Sequence, residues 1–122
     1  VDFRTLKDQP TTVYLCIPAE RIDVLKVYTS MTITLALELI ARNRKAKRVT
    51  IIADEFQNLG RMTPVQKGLA LYRGAGIQFI FLVQFLSALE RLYGPSFREF
   101  LGCEVVTLFG ATSDLATLEL FS

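Results

Sequence analysis

The fold is decided by residues 49–55, VTIIADE, in which an apolar run passes directly into two adjacent acids. A mostly apolar run of this length is typical of a strand that is buried on both faces of a sheet. Similar runs occur at Thr12–Ile17, Ile77–Val83 and Val105–Phe109. The sequence therefore predicts a sheet of buried strands.

Helical patterns separate these runs. The predicted helices extend from about Arg21 to Arg42, Thr63 to Arg73 and Leu86 to Tyr93, and a last one opens at Gly110. In the first helix the apolar side chains at helical spacing are Leu25, Tyr28, Met31, Leu35 and Leu39. We expect this stripe to be buried. Ile33, Leu37 and Ile40 flank it, so we expect the helix to be covered on more than one side.

Apolar strands that alternate with helices predict a mostly parallel sheet with helices on both faces, which is a three-layer α/β fold. The crossovers between such strands are right-handed. In folds of this class the chemistry is found at the carboxyl ends of the strands. The residues at those ends are Pro18, Asp54–Glu55, Gln84 and Gly110.

Composition excludes several classes of site. The 122 residues suit one compact domain, and 51% hydrophobic residues are enough for a core. There is no histidine, and Cys16 and Cys103 stand alone, which predicts reduced, buried thiols without a zinc site. The longest apolar stretch, Met31–Ala41, contains Glu38 and is shorter than the ~20 residues of a membrane span. We therefore expect no membrane contact by this chain.

Two adjacent acids after a buried strand form the Walker B pattern of P-loop ATPases. In that pattern the first carboxylate, Asp54, holds Mg²⁺ through water at the sheet edge. The second, Glu55, orients or deprotonates the attacking water. The alternative is a solvated strand end or the N-cap of a following turn, without a catalytic role, because many strands in α/β proteins end in an acid.

Two further polar residues have candidate roles. Gln84 follows the run at Ile77–Val83, where its amide would contact the γ-phosphate; the alternative is a helix N-terminal residue without a role. Arg73 ends the second predicted helix beside Gly74 and Gly76. A guanidinium presented on such a tip suits an arginine finger that reaches a neighbour's nucleotide. A cation that complements the helix dipole is the alternative.

Nearly the whole chain resembles the TraG/TraD coupling proteins of type IV secretion systems. The stretches that carry the resemblance are Thr11–Arg21, Asp54–Gly60, Leu69–Ile77, Gln84, Leu89–Gly94 and Phe109–Asp114. The first and third are much more specific than the Walker B pattern alone.

The resemblance implies a RecA-like hexameric ATPase, anchored in the bacterial inner membrane, that brings a relaxase–DNA complex to the secretion channel. It implies ATP and Mg²⁺ as cofactors. It matches Asp54 to the Mg²⁺-associated acid, Glu55 to the catalytic acid, Gln84 to the glutamine of the third family motif and Arg73 to the arginine that acts across the subunit boundary.

The chain departs from the family in one respect, since it contains no Gly-x-x-x-x-Gly-Lys-Ser/Thr loop. In the family this loop and the membrane anchor come earlier in the protein. We therefore interpret residues 1–122 as the C-terminal part of a P-loop motor ATPase domain. Without the backbone donors and lysine of that loop, we expect the isolated, soluble chain to be inactive and to bind no nucleotide tightly.

The region Arg42–Arg48 contains five cations in seven positions. Such a run is consistent with a helix end followed by a solvated loop, or with a contact to DNA phosphates or an acidic partner. Two functions remain as alternatives to a coupling protein. One is a non-catalytic α/β interaction module, and the other is a related P-loop DNA translocase or helicase.

Overall fold

A computed structural model describes residues 1–102, together with Leu115 and Glu119. The helices and strands are α1 (Ile22–Arg42), β1 (Val49–Ala53), α2 (Thr63–Gly74), β2 (Ile77–Phe81), α3 (Leu86–Tyr93) and α4 (Arg98–Leu101). Short 3-10 helices occur at Phe3–Thr5, Ala19–Arg21, Phe56–Leu59 and Gly94–Phe97. The predicted strand Val105–Phe109 and the helix predicted from Gly110 lie outside the described residues.

The two strands form a parallel pair, as predicted, with Val49 opposite Ile77 and Ala53 opposite Phe81. β2 ends at Phe81, two residues before the predicted end at Val83. Gly76 starts the pairing, because its carbonyl accepts a hydrogen bond of 3.0 Å from the amide of Val49. Its φ of +78° is a backbone conformation that residues other than glycine rarely adopt, so the tight turn into β2 requires glycine here.

Only one face of this pair is covered by helices. Ile77 and Phe81 are buried on the covered face. On the other face Thr50 and Gln78 are exposed, and Ile52 keeps 65% of its surface accessible. The described residues therefore form an α/β arrangement of two layers, and the predicted helices on both faces are not present in this part of the chain. The apolar residues of β1 do not distinguish a covered face from an open one, which is why the sequence suggested burial of both.

An aromatic cluster forms the core next to the end of β1. The ring of Phe56 lies 4.5 Å from that of Phe81 and 5.5 Å from that of Phe100, centroid to centroid. Tyr93 packs edge-on against Phe100 at 4.7 Å. The Tyr93 hydroxyl also accepts a hydrogen bond of 2.9 Å from the Met62 amide. Contacts of this kind hold the segment after β1 against α3 and α4.

α1 is covered on one side, in contrast to the prediction. Leu37 and Ile40 are buried, whereas Tyr28, Met31 and Leu35 are 64%, 67% and 53% exposed. The predicted stripe is thus mostly exposed, and two of its flanking residues face the core instead. Apolar residues occupy most of the helix circumference, so periodicity could not identify the side that contacts α2 and β2.

By length and composition alone, α1 with its preceding 3-10 turn (Ala19–Arg42) is long and apolar enough to cross a membrane, with a mean hydropathy of 1.5. This finding differs from the expectation based on the stretch Met31–Ala41. Within the most apolar 18-residue stretch of this helix, 17% is buried inside the protein. The buried residues Leu37 and Ile40 show that the C-terminal half of α1 packs on the core.

The segment Thr12–Ile17 is not a strand, so this prediction was wrong. It runs as irregular chain, and Tyr14 is 83% exposed. Cys16, expected to be buried, is an exposed free thiol. A strand requires a partner for its backbone groups, and β1 and β2 pair with each other but not with this segment. Cys103 lies outside the described residues.

Candidate functional site

The carboxyl ends of β1 and β2 are joined beyond the last paired residues. The amide of Leu82 donates to the carbonyl of Ala53 at 2.9 Å, and the amide of Phe56 donates to the carbonyl of Leu82 at 3.0 Å. These bonds place the residues after β1 beside those after β2. The rule that parallel strands bring their carboxyl ends to one edge therefore holds for Asp54, Glu55 and Gln84.

The carboxylate of Glu55 lies at the centre of this edge. Its Oε1 accepts a hydrogen bond of 3.0 Å from Nε2 of Gln84, and its Oε2 accepts one of 2.7 Å from Nδ2 of Asn58. All three side chains are exposed to solvent. Two amide groups from different segments thus orient one carboxylate without neutralising it.

The backbone of Glu55 adopts an unusual conformation. Its φ of 47° and ψ of 46° lie in the left-handed region, and no other non-glycine residue in the described part of the chain has a positive φ. This conformation costs a residue with a side chain roughly 1–2 kcal/mol. The Glu55 amide donates to Oδ1 of Asp54 at 3.0 Å, which helps to hold the turn. Such outliers concentrate at functional sites.

Buried groups support this turn from below. Phe56, the residue after Glu55, is only 2% exposed and belongs to the aromatic cluster. Tyr93 is buried as well, and burial raises the pKa of its hydroxyl. The 3-10 helix Phe56–Leu59 begins directly after Glu55 and carries Asn58 on its exposed side. The acids are therefore exposed, but the turn that presents them is anchored in the core.

Asp54 is the residue available to a metal ion. It is exposed, and its second carboxylate oxygen has no hydrogen-bond partner within the described residues. Within those residues, no group of three or more His, Cys, Asp and Glu side chains is placed to hold a metal. Mg²⁺ is commonly bound through one or two carboxylates, water and substrate phosphates, without a full protein cage. The free carboxylate oxygen of Asp54 fits a metal held in that way.

Arg73 lies at the opposite edge of the sheet. It occupies the last turn of α2 and precedes β2, so it is close to the amino ends of the strands. It is exposed. Four residue steps of ~3.3 Å separate the two ends of each strand, about 13 Å in all. The structure therefore brings together Asp54, Glu55 and Gln84 but not Arg73.

Two residues in these arrangements carried no role in the sequence analysis. Asn58 binds Glu55 only because the left-handed turn directs the following 3-10 helix back toward the carboxylate, although an amide three residues after an acid was a visible signal. Lys7 is only 2% exposed, and its ammonium donates to the carbonyls of Asn43 at 2.8 Å and Ala75 at 2.5 Å. No local pattern distinguishes this lysine from an exposed one.

The cations of the run Arg42–Arg48 differ in their surroundings. Lys45 forms an ion pair of 2.6 Å with Asp8, and Nζ of Lys47 donates to the backbone carbonyl of Asp8 at 3.1 Å. Hydrogen bonds from Lys45 and then from Asn43 lower the pKa of the Asp8 carboxyl. Two of the five cations, Lys45 and Lys47, are therefore already bound to Asp8 in the N-terminal segment.

Comparisons with known proteins identify the family of the chain. A family model described as type IV secretory system conjugative DNA transfer matches residues 1–122. The chain is 27% identical over 114 residues to the protein VirD4 of Agrobacterium fabrum (strain C58 / ATCC 33970), and equally to those of Rhizobium radiobacter and Rhizobium rhizogenes. The alignment covers 89% of this chain but 17% of the length of these relatives. No solved structure matches the chain. The resemblance to TraG/TraD-type coupling proteins is thereby confirmed, and the chain belongs to the type IV secretory system family of conjugative DNA transfer proteins.

Proposed function

We propose that residues 1–122 form the later part of the motor ATPase domain of a type IV secretion coupling protein. In the full-length protein this domain hydrolyses ATP within a RecA-like hexamer at the cytoplasmic face of the inner membrane. Its substrates are a relaxase–DNA complex or a protein, which it passes to the secretion channel. The chain contributes the metal-binding and water-activating residues, and the phosphate-binding loop comes from elsewhere in the full-length protein.

One observation carries this proposal. Asp54 and Glu55 at the end of β1 meet Gln84 at the end of β2, with Gln84 in hydrogen-bond contact with Glu55 at 3.0 Å. A general base needs a fixed direction toward its water, and the amides of Gln84 and Asn58 provide it. Gln84 links that base to the segment leading into α3, so a change at Glu55 reaches the neighbouring helix through one bond.

Each residue has a distinct task in this proposal. Asp54 would hold Mg²⁺ through water with its free oxygen, and the bound metal would neutralise charge on the ATP phosphates. Glu55 accepts a proton from, or orients, the attacking water. Arg73, which lies beyond the opposite ends of the strands in its own chain, contacts the phosphate bound by the adjacent subunit. The distance supports action across the subunit boundary, since Arg73 is remote from its own Asp54.

The test replaces Glu55 by Gln in the full-length protein. We expect nucleotide binding to stay nearly unchanged while ATP turnover falls by a factor of about 10² or more, because a positioned base is lost. Asp54→Ala should weaken the Mg²⁺-dependent part of binding as well. The matched control is Glu20→Gln, which removes an exposed carboxylate outside this edge. Turnover of Glu55→Gln at the unchanged rate would contradict the assignment.

A second test uses the 122-residue chain alone. It lacks the phosphate-binding loop, so calorimetric titration with Mg-ATP should give no tight binding. Micromolar affinity would mean that nucleotide is held by groups other than those assigned above. A non-catalytic interaction module would be indicated if Glu55→Gln and Asp54→Ala both left turnover unchanged.

A further inference from the structure

The last residue of α1 and the loop between α1 and β1 carry three arginines that have no partner in the described residues. Arg42, Arg44 and Arg48 are exposed and form no ion pair or side-chain hydrogen bond there. Lys45 and Lys47, in contrast, are both bound to Asp8. We call the three unpaired arginines the cationic edge. Their charges are available to an external ligand.

The cationic edge stands on a rigid base. The ammonium of Lys7 binds the carbonyl of Asn43, next to Arg44, and the carbonyl of Ala75, two residues after Arg73. The Asn43 side chain donates to the carbonyl of Arg4 at 2.8 Å. The backbone of this loop is therefore tied to α2 and to the N-terminal segment. Positive charges on a fixed backbone lose less conformational freedom on binding than charges on a free loop.

The chemistry of the edge favours a ligand with several negative charges at its surface. Guanidinium groups bind phosphate through two parallel hydrogen bonds, which ammonium groups cannot do. No aromatic or large apolar residue lies between Arg42 and Arg48, so the edge offers neither a stacking platform for bases nor an apolar pocket. Contacts from such a surface go to the backbone phosphates and are independent of sequence.

The acids at the carboxyl ends of the strands and Asp8 do not compete for this ligand. Asp54 and Glu55 lie at the carboxyl ends of the strands, about 13 Å from the amino ends where the loop joins β1. Asp8, the acid that reaches the loop, is occupied by Lys45 and by Asn43. Glu38, an exposed acid four residues before Arg42 on α1, is the carboxylate that a polyanion approaching Arg42 would meet.

We propose that Arg42, Arg44 and Arg48 form a sequence-independent binding surface for the phosphate backbone of DNA. The choice of DNA as the polyanion rests on the proposed function, whereas the surface itself does not depend on ATP hydrolysis. The surface lies at the edge of the sheet opposite Asp54 and Glu55, so DNA bound there leaves the carboxyl edge accessible.

The experiment measures binding of a fluorescent DNA duplex of mixed sequence to the 122-residue chain by anisotropy, between about 50 and 200 mM salt. The variant Arg44→Gln/Arg48→Gln removes two charges of the edge. Its control, Arg21→Gln/Arg61→Gln, removes two exposed arginines that precede α1 and α2, at the far ends of these helices. Both variants have the same net charge, and circular dichroism establishes that each is folded.

We expect the edge variant to bind more weakly and its plot of log affinity against log salt to lose about two units of slope, because each phosphate contact contributes about 0.9. The control should keep the slope of the unmodified chain. Equal losses in both variants would reduce the effect to net charge and overturn the proposal, as would the absence of a loss in either. Equal affinity for polyglutamate of matched charge would point to an acidic protein and overturn the assignment to DNA.

A second arm uses the acid that occupies Lys45. Asp8→Asn should release this lysine and raise both the affinity and the slope, the latter by about one unit. Glu20→Gln is the control with the same change in charge. If both raised binding equally, the pairing of Asp8 with Lys45 would have no bearing on the surface. The DNA-binding assay contains no nucleotide, so its result does not depend on ATP hydrolysis. If the 122-residue chain bound DNA but the full-length protein hydrolysed no ATP, the proposed function would be refuted and this binding surface would stand.

Discussion

The two ends of the β1–β2 pair differ in charge and in the way their polar groups are held. At the carboxyl edge, exposed amides of Asn58 and Gln84 hold an exposed carboxylate. At the amino edge, the buried ammonium of Lys7 holds two backbone carbonyls. The exposed bonds at the first edge can exchange with water or a ligand at little cost, whereas loss of the buried ones leaves unsatisfied carbonyls. The polar groups at the carboxyl edge can therefore exchange their hydrogen-bond partners, whereas those at the amino edge keep theirs.

The largest effect that this comparison predicts concerns Arg73, which lies at the amino edge but is proposed to act on phosphate. In the full-length protein Arg73→Ala should lower ATP turnover by a factor of about 10³ or more, because an arginine finger stabilises charge on the transferred phosphoryl group. Arg73→Lys should not restore it, since lysine lacks the planar fork of donors. The readout is steady-state ATP hydrolysis, with Arg61→Ala as the control.

Mixed hexamers decide whether Arg73 acts across subunits. One subunit type carries Arg73→Ala and the other lacks the lysine of its phosphate-binding loop, so each is nearly inactive alone. Mixing creates some interfaces with both groups intact, and partial activity should return. An active Arg73→Ala hexamer would leave this residue with the role of complementing the dipole of α2.

The next largest effect concerns the stability of the amino edge. Lys7→Met keeps most of the side-chain volume but leaves the carbonyls of Asn43 and Ala75 without their donor, so the free energy of unfolding should fall by about 2 kcal/mol. Denaturant titration of the 122-residue chain measures this change. Lys67→Met, at an exposed position of α2, should have little effect. Equal stabilities of the two variants would show that the buried ammonium contributes nothing net.

A smaller effect is expected at the carboxyl edge, where Asn58→Ala removes one of two donors to Glu55. Glu55 then loses part of its orientation, so kcat should fall by about tenfold, or ~1.4 kcal/mol, while KM changes little. Gln9→Ala, which removes an exposed amide elsewhere, is the control. A fall in stability with an unchanged kcat would make Asn58 a residue of the turn only.

The smallest effect is the pH dependence of the pair between Asp8 and Lys45. The pKa of Asp8 is lowered in the folded chain by hydrogen bonds from Lys45 and Asn43, so the pair stabilises the fold above the unfolded pKa of about 4. This contribution is lost as the pH falls through the lower folded value. Asp8→Asn should therefore have a lower thermal unfolding midpoint than the unmodified chain at neutral pH, and the difference should shrink below about pH 4. A constant difference would exclude this carboxyl as the cause.

The parts of the molecule that sequence predicted correctly depend on local patterns. β1, β2 and the three main helices follow from apolar periodicity and from stops such as Gly94. The meeting of Asp54, Glu55 and Gln84 follows from the geometry of parallel strands. These inferences need no knowledge of which surfaces touch.

The parts that sequence did not predict depend on the partners of each surface. Tyr28 and Leu37 are both apolar residues of α1, but only Leu37 faces the core. Thr12–Ile17 has the composition of a strand and remains irregular because no described strand pairs with it. The bond from Asn58 to Glu55 depends on one left-handed backbone conformation, which no residue pattern signals at a glutamate.

The buried ammonium of Lys7 has a consequence for motion as well as for stability. The same nitrogen, Nζ of Lys7, binds one carbonyl just after α1 and a second carbonyl just after α2. Neither helix end can therefore move alone without breaking a charged hydrogen bond. Both loops should therefore open in a single step, and their amide hydrogens should exchange with solvent at a common rate. A displacement of the loop after α1 would then displace the start of β2 as well, because Lys7 couples the two segments directly.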